Sequence, residues 1–169
     1  MLIRAKSIIG LPVVEAAGLQ RVGSVRDFLV DPDGGRILAI LLGSGKVVSV
    51  NEIKDFFTDT VLIQSADSIV NHEEIARAQN ILSRKIFLVG SKVLTSEGRK
   101  MGSLDDFMFD DLSYQLATII TKRFFSKEKR IISAGKIEKV LPKKIIISDS
   151  GVKVPSVDKD NIASYIASN

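Results

Sequence analysis

A basic segment with two adjacent aromatic residues is the part of the sequence best suited to bind a partner. It runs from position 122 to position 130 and reads KRFFSKEKR, so cations flank a Phe pair on both sides. An exposed ring can anchor a protein partner or stack on a base, while Lys and Arg contact acidic side chains or phosphate. The candidate partner-binding residues are Lys122, Arg123, Phe124, Phe125, Lys127, Lys129 and Arg130.

The same segment also has a purely structural interpretation. Side chains alternate between the two faces of a β-strand. The stretch from Thr121 to Lys129 could therefore continue a hairpin, with one Phe directed inward and the charges in solvent. The sequence leaves both interpretations open.

Residues that enzymes use for catalysis are scarce. The chain has no cysteine, and its one histidine, His72, falls at the expected start of a helix with nothing nearby to orient it in a triad. The sequence contains no P-loop, no His-Glu-x-x-His and no dinucleotide-binding glycine motif. We therefore expect a protein that is not an enzyme and that uses no cofactor.

Several aspartates recur near the ends of predicted strands, and their carboxylates are of the type that binds Ca²⁺ or Mg²⁺. They are Asp27, Asp31, Asp33, Asp105, Asp106, Asp110 and Asp111. Their spacing does not form a twelve-residue loop that ends in Glu. Because Asp side chains also accept hydrogen bonds from their own backbone in turns, we favour turn and strand-end hydrogen bonding and expect no metal site.

The elements that position these residues occur twice along the chain. The run VGSVRDFLVD at positions 22–31 corresponds to MGSLDDFMFD at positions 101–110. Further apolar strands follow each run in the same order. The match needs one single-residue deletion between Gly98 and Gly102, and a longer connection at 122–130 replaces the short one at 43–46. Agreement in order and spacing between residues 8–63 and residues 88–147 predicts an internal duplication.

Each copy has the pattern of a small, strongly curved β-sheet. Short β-branched runs alternate with turn signals about every ten residues, and the clearest turn is the DPDGG run at positions 31–35. Gly23 and Gly102 fall just inside the strand that follows the first hairpin. A glycine there usually marks a bulge, which bends a sheet toward closure.

Two helices are predicted outside the strands. Residues 71–84 begin with Asn, a good N-cap, and place Ile75, Ala78 and Leu82 on one face, which predicts a helix of about three turns. Residues 158–166 predict a short C-terminal helix.

The predicted domain order is a first module over residues 1–70, a linker helix over 71–86, and a second module with its C-terminal helix over 87–169.

The two halves of the chain differ in net charge. Residues 1–70 carry 7 Lys and Arg against 8 Asp and Glu, whereas the rest of the chain carries 17 against 12. The basic second half favours an acidic partner or surface, although a solvated surface has the same composition.

The repeated pattern resembles the PRC-barrel domain. It consists of a Gly-x-Val-x-Asp-Phe run, a strand that ends in Asp, a turn, an apolar strand and a late Ile, which is Ile53 in one copy and Ile137 in the other. The resemblance implies a mainly β fold of two tandem small PRC-type β-barrels. Relatives include the cytoplasmic part of the photosynthetic reaction centre H subunit and the C-terminal domain of the ribosome maturation factor. Both act through protein contacts, so the resemblance implies a binding module.

Composition and resemblance together lead to two hypotheses about function. Hydrophobic residues make up 45% of the chain, charged residues make up 26%, and no run of about 20 apolar residues could span a bilayer. We therefore expect a soluble, cytoplasmic protein. The leading hypothesis is a non-catalytic adaptor that acts through protein–protein contacts of its modules. The alternative is an RNA- or ribosome-associated factor that uses the basic second repeat, whose binding would weaken steeply with salt.

Overall fold

A computed structural model describes residues 1–126 and 128–149, together with the backbone of residues 156–157. The predicted helix at 158–166 and the candidate binding residue Lys127 lie outside the described residues. Within the described part the fold is mainly β, as the sequence predicts.

Strands account for most of the regular structure in the described residues. In the first half they are β1 (Leu2–Arg4), β2 (Pro12–Glu15), β3 (Arg21–Val30), β4 (Ile37–Leu42), β5 (Val47–Ser49), β6 (Ile53–Phe56), β7 (Val61–Ile63) and β8 (Ile69–Val70). In the second half they are β9 (Lys92–Thr95), β10 (Lys100–Asp110), β11 (Leu116–Lys122), β12 (Lys129–Ser133), β13 (Ile137–Leu141), β14 (Lys144–Ile147) and β15 (Ser156–Val157).

Helical segments are short in the same described part of the chain. The α-helices are α1 (Ala5–Ile8) and α2 (Ala76–Ser83). Single 3₁₀ turns occur at Val50–Glu52, Ala66–Ser68, His72–Glu74 and Ala134–Lys136. No helix among the described residues has the length and apolar character needed to cross a membrane.

The strands form two curled sheets with corresponding orders. The first runs β6-β7-β2-β3-β4-β5-β8, and the second runs β13-β14-β9-β10-β11-β12-β15. In each sheet an early strand pairs in parallel with a late strand, β2 with β7 and β9 with β14. The central pairs, β3–β4 and β10–β11, are antiparallel hairpins.

The long strands β3 and β10 carry bulges at matching places. The register shifts between Val25 and Asp27 in β3, and between Leu104 and Asp106 in β10. A bulge bends its strand and increases the local twist, which lets one long strand belong to two parts of a curled sheet. The bulges therefore supply the curvature that the sequence predicts.

The two sheets meet through a reciprocal pair of backbone hydrogen bonds. Ile37 donates its N–H to the carbonyl of Tyr114 at 2.8 Å, and Leu116 donates to the carbonyl of Gly35 at 2.9 Å. Gly35 and Tyr114 both have left-handed backbone, with φ of 65° and 58°. Each turn thus makes the same contact to the other half.

Aromatic side chains fill the core between the sheets. Phe28 of the first half lies 5.7 Å from Phe107 and 5.3 Å from Phe109, measured between ring centroids. Phe56 packs against Phe109 at 5.6 Å in an edge-to-face arrangement. Burial of one such side chain contributes roughly 1.5–3 kcal/mol, so this shared core holds the two halves together.

The segment that precedes each sheet packs on the opposite sheet. Strand β1 pairs with β10, and Arg4 lies opposite Met108. Helix α2 packs against β3, and Arg77 Nη2 contacts the Asp31 carboxylate at 2.6 Å. The chain therefore crosses between the halves at both of these segments.

The single helix predicted over residues 71–84 is wrong in its length. A capping box between Asn71 and Glu74 closes a 3₁₀ turn. Ile75 then leaves helical geometry, with φ −116° and ψ 98°, before α2 begins. Ala78 and Ile81 are buried, and Ile75 and Leu82 are partly buried against the core, so the predicted face does pack inward, with Ile81 added to it.

Candidate partner-binding surface

The hairpin between β11 and β12 presents both candidate aromatic rings to solvent. Phe124 is 93% exposed and Phe125 is 96% exposed. Their ring centroids lie 4.7 Å apart with an interplanar angle of 90°. Because β11 ends at Lys122, neither ring continues the strand, and the inward Phe of the structural interpretation is not observed.

The predicted cations divide into free and engaged groups. Lys122 Nζ lies 2.9 Å from Asp105 Oδ1, and Lys129 Nζ lies 2.7 Å from Asp105 Oδ2. Arg130 points along the sheet, with Nη1 3.9 Å from the sulfur of Met101. Arg123 is exposed and forms no ion pair within residues 1–126 and 128–149. Of the predicted binding cations that the structure describes, Arg123 is therefore the most readily available to a partner.

A buried aspartate gathers three lysines at the base of this hairpin. Asp105 is 4% exposed and contacts Lys6 Nζ at 2.7 Å in addition to Lys122 and Lys129. Burial alone would raise the pKa of the Asp105 carboxyl, but hydrogen bonds from Lys129, Lys6 and Lys122 outweigh it and hold that pKa well below its usual range. One carboxylate balances only one of the three ammonium charges, so the cluster remains net positive.

The neighbouring aspartate binds a different cation. Asp106 is fully buried, its Oδ2 accepts a hydrogen bond from Arg4 Nε at 2.8 Å, and Arg4 Nη2 lies 2.8 Å from the same oxygen in an ion pair. Its Oδ1 accepts from the backbone N–H groups of Lys6 at 3.0 Å and Phe107 at 2.9 Å. Both oxygens of the buried Asp106 carboxylate therefore accept hydrogen bonds, which compensates for the loss of water around them.

Sequence reasoning missed the ion-pair role of these two aspartates. Asp105 is the extra residue of the β10 bulge, and the bulge lets adjacent side chains reach different partners. Lys6 and Arg4 lie about a hundred positions away along the chain, and no local spacing signals such a pairing. Two adjacent Asp residues within a predicted apolar strand were the one available sign that buried charge needed partners.

A groove lies beside the exposed Phe pair. Its volume is about 320 Å³. The lining residues are Lys92, Val93, Leu94, Lys100, Gly102, Ser103, Lys122, Arg123 and Phe124. Four of these carry positive charge and none carries negative charge, so the groove combines cations with an aromatic wall.

The strand that forms the groove floor depends on a glycine. Gly102 has φ 110°, and a Cβ at this position would overlap the carbonyl oxygen of Lys122 and lie 2.9 Å from its carbon. Only a residue without a side chain allows β10 to approach the end of β11 so closely. Gly23, the corresponding residue of β3, has ordinary space beside Leu42.

The remaining chemical candidates have structural roles. The carboxylate of Asp31 accepts from Asp33 N at 3.1 Å, and that of Asp110 accepts from Ser113 N at 2.8 Å, which confirms the predicted turn hydrogen bonds. His72 Nδ1 lies 3.1 Å from a Glu73 carboxylate oxygen on a solvent-facing turn. Within the described residues no cluster of His, Cys, Asp or Glu is arranged to hold a metal ion.

Comparison with protein families accounts for the first half of this architecture. The first curled sheet, with its bulged strand β3, lies in the first half of the chain. Residues 1–77, which include this sheet, match the sequence model of the PRC-barrel domain. The first half contains a PRC-barrel domain. The matched residues span the strands from β1 to β8, helix α1, three of the 3₁₀ turns and the first two residues of α2. No curated protein matches the chain.

Proposed function

We propose that this chain is a non-catalytic adaptor that binds a protein partner through the β11–β12 hairpin. The observation that carries the proposal is the near-complete exposure of Phe124 and Phe125. Leaving two adjacent Phe side chains in water forgoes several kcal/mol of burial, roughly 1.5–3 kcal/mol for each. Exposed aromatics of this kind are typical anchors of protein interfaces.

The proposal treats the second half as a second PRC-type module in tandem with the first. The corresponding strand orders, the bulges at matching places and the reciprocal hydrogen bonds between the turns support this duplication. The first module closes its equivalent hairpin with a short turn, in which Gly45 donates to the carbonyl of Leu42 at 2.9 Å. The extended hairpin is therefore an addition that the fold itself does not need.

A non-catalytic role in the cytoplasm remains part of the proposal. Its support is positive: the buried carboxylates Asp105 and Asp106 are fully engaged by Lys and Arg side chains. Such groups act as structural ion pairs rather than as proton donors or acceptors for a substrate. The resemblance to binding modules of the PRC-barrel type points the same way.

Site-specific photo-crosslinking tests the proposal. A photoreactive phenylalanine analogue replaces Phe125 in the full chain, and in separate variants it replaces Leu19 or Leu112, which are also highly exposed. We expect a discrete protein adduct from native-host extract at position 125 and none at the two controls. Equal adducts at all three positions, or none at 125, would overturn the proposal.

The alternative of an RNA- or ribosome-associated factor has support in the cations beside the rings. It predicts that the Phe125 adduct contains nucleic acid, that ribonuclease abolishes it, and that association weakens steeply with salt. Sedimentation of the chain with ribosomal particles at low salt, with release at high salt, would favour this alternative over the protein partner.

A further inference from the structure

The groove beside the Phe pair combines properties that specify a class of ligand. Lys92, Lys100, Lys122 and Arg123 line it without an opposing carboxylate. Phe124 forms an aromatic wall, and Leu94 adds an apolar surface. A matching ligand carries closely spaced negative charges and one apolar or aromatic side chain.

We propose, on the basis of the proposed function, that this groove binds an acidic peptide segment of the partner that includes an aromatic side chain. The segment would place its carboxylates on Lys92, Lys100 and Arg123, and its ring against Phe124. The groove thus supplies the charge recognition, while the exposed Phe pair anchors the body of the partner.

The corresponding surface of the first half shows that the fold does not require two of these cations, Lys92 and Lys122. In β9, Lys92 lies opposite Ser103 of β10, whereas in β2 the uncharged Pro12 lies opposite Ser24 of β3. At the end of the next strand, Lys122 lies opposite Ser103, whereas Gly43 hydrogen-bonds Ser24. Lys92 and Lys122 are thus specific to the second half, whereas Lys100 has a basic counterpart in Arg21, which lies opposite Val14 as Lys100 lies opposite Leu94.

The cations also differ in how firmly they are held. Lys122 is fixed at the groove edge by its 2.9 Å contact with Asp105. Lys92, Lys100 and Arg123 are exposed and form no ion pair among the described residues. One ordered and three unpaired cations favour an anionic ligand, because each of the three gains a counter-ion on binding.

Size and surrounding charge favour a peptide over a nucleic-acid strand. The volume of about 320 Å³ lies at the lower end of the range for ligand pockets, which suits a few side chains. Exposed acidic residues interrupt the basic surface on both sides: Glu97 in the turn after β9 and Glu128 in the β11–β12 hairpin. A phosphate backbone needs a continuous basic track, and these acids break it.

Strand addition does not explain binding here. Strand β9, which lines the groove, is already paired with β10 on one side and β14 on the other. Its backbone groups are therefore satisfied, and recognition must use side chains. Binding through charged side chains predicts an affinity that falls with ionic strength.

Fluorescence anisotropy with defined probes tests the inference. The probe is a fluorescein-labelled peptide of sequence EDFEDL, compared with the neutral peptide QNFQNL and with a labelled six-nucleotide oligouridylate. The variants are Lys92→Gln/Lys100→Gln and the matched control Lys46→Gln/Lys54→Gln, which removes two exposed lysines from the first half. Neither variant touches the Phe pair or Asp105.

We expect EDFEDL to bind more tightly than either other probe. The groove variant should weaken its binding by about tenfold, since two ion pairs are lost, and the control should leave it nearly unchanged. Equal weakening by both variants, tighter binding of the oligouridylate, or equal binding of QNFQNL would overturn the inference.

The outcomes separate this inference from the proposed function. A protein adduct at Phe125 with no binding of EDFEDL would overturn the groove inference and leave the adaptor proposal standing. Binding of EDFEDL that depends on Lys92 and Lys100, with no adduct at Phe125, would support the groove and overturn the Phe pair as the anchor.

Discussion

Arg4 binds the buried carboxylate of Asp106 through two nitrogen atoms, each 2.8 Å from the same oxygen. Arg4 ends β1, at the start of the chain, whereas Asp106 lies in the bulge of β10 in the second half. A charge inside one half is therefore balanced by a residue that the sequence assigns to the other. Stability of the second half depends on the first.

Removal of Arg4 should destabilise the whole protein. In the Arg4→Ala variant the fully buried Asp106 loses its ionic partner, and removal of one partner of a buried ion pair costs about 3 kcal/mol. Urea unfolding at pH 7 measures the change in the free energy of unfolding. Arg26→Ala, at an exposed position of β3, is the control and should change it by less than about 0.5 kcal/mol. Equal effects of both changes would contradict the structure.

The two aspartates at corresponding bulges should respond in opposite ways to replacement by Asn. Burial raises the pKa of Asp27, against smaller opposing effects of the Phe28 N–H and of Arg26, so its ionised form opposes folding at neutral pH. Asp27→Asn keeps the acceptor for Phe28 N and should increase the free energy of unfolding at pH 7. Asp106→Asn removes the charge that Arg4 binds and should decrease it.

The pH dependence of the Asp27→Asn effect follows from linkage. A carboxyl whose native pKa exceeds its unfolded value of about 3.9 opposes folding above that native pKa. This unfavourable contribution of Asp27 disappears as pH falls below its pKa in the unfolded state, because the carboxyl is then protonated in both the folded and the unfolded protein. Urea unfolding between pH 7 and pH 3 should therefore show the gain from Asp27→Asn shrinking toward acid pH. A gain that is constant with pH would contradict this assignment.

Asp105 should make the protein acid-sensitive. Its native pKa lies well below its usual range because Lys129, Lys6 and Lys122 surround it. The ionised form therefore stabilises the fold at neutral pH, and this contribution is lost as pH falls below the unfolded value of about 3.9. In urea unfolding from pH 7 to pH 2.5, Asp105→Asn should lose less stability on acidification than the parent protein. The exposed Asp59→Asn variant should follow the parent curve.

Some acid sensitivity should survive in the Asp105→Asn variant. Hydrogen bonds from Ser113 and Leu112 and a contact with the chain's amino group lower the pKa of Asp110 to about 2, although burial opposes them. Its contribution to stability is therefore lost in the same pH range. A variant with no remaining acid sensitivity would show that Asp110 contributes nothing.

Glycine should be required at position 102 and not at position 23. Gly102→Ala places a methyl group against the Lys122 carbonyl on backbone with φ 110°, and we expect a loss of more than about 2 kcal/mol. Gly23→Ala meets only the side chain of Leu42 at 3.5 Å and should change stability by less than about 1 kcal/mol. Thermal unfolding of both variants checks the difference. Similar losses would mean that the close approach at Gly102 is not what matters.

The features that sequence reasoning predicted well are those set by neighbours along the chain. The bulges beside Gly23 and Gly102 are confirmed by register shifts at those glycines. The turn after Asp31 is confirmed as well, because an Asp side chain closes such a turn through its own backbone. Bulges and turns depend on neighbouring residues, so they can be recognised from residue type and spacing.

The features it did not predict join distant parts of the chain. The pairing of β1 with β10 and the contacts of Lys6 and Arg4 with the two aspartates span about a hundred residues. The hydrophobic periodicity of the sequence gives no indication of contacts between residues so far apart. The sequence also left the exposure of Phe124 and Phe125 undecided. If the strand continued through them, alternation would direct one ring inward, and only the structure shows that the strand ends at Lys122.

The pairing of β1 with β10 also bears on how the protein is made. Leu2–Arg4 is synthesised about a hundred residues before its partner Met108–Asp110. At about 5–20 residues per second, the first strand waits several seconds with its backbone unpaired. The nascent chain must keep β1 from other partners for that time, because this pair of strands can form only after β10 is complete.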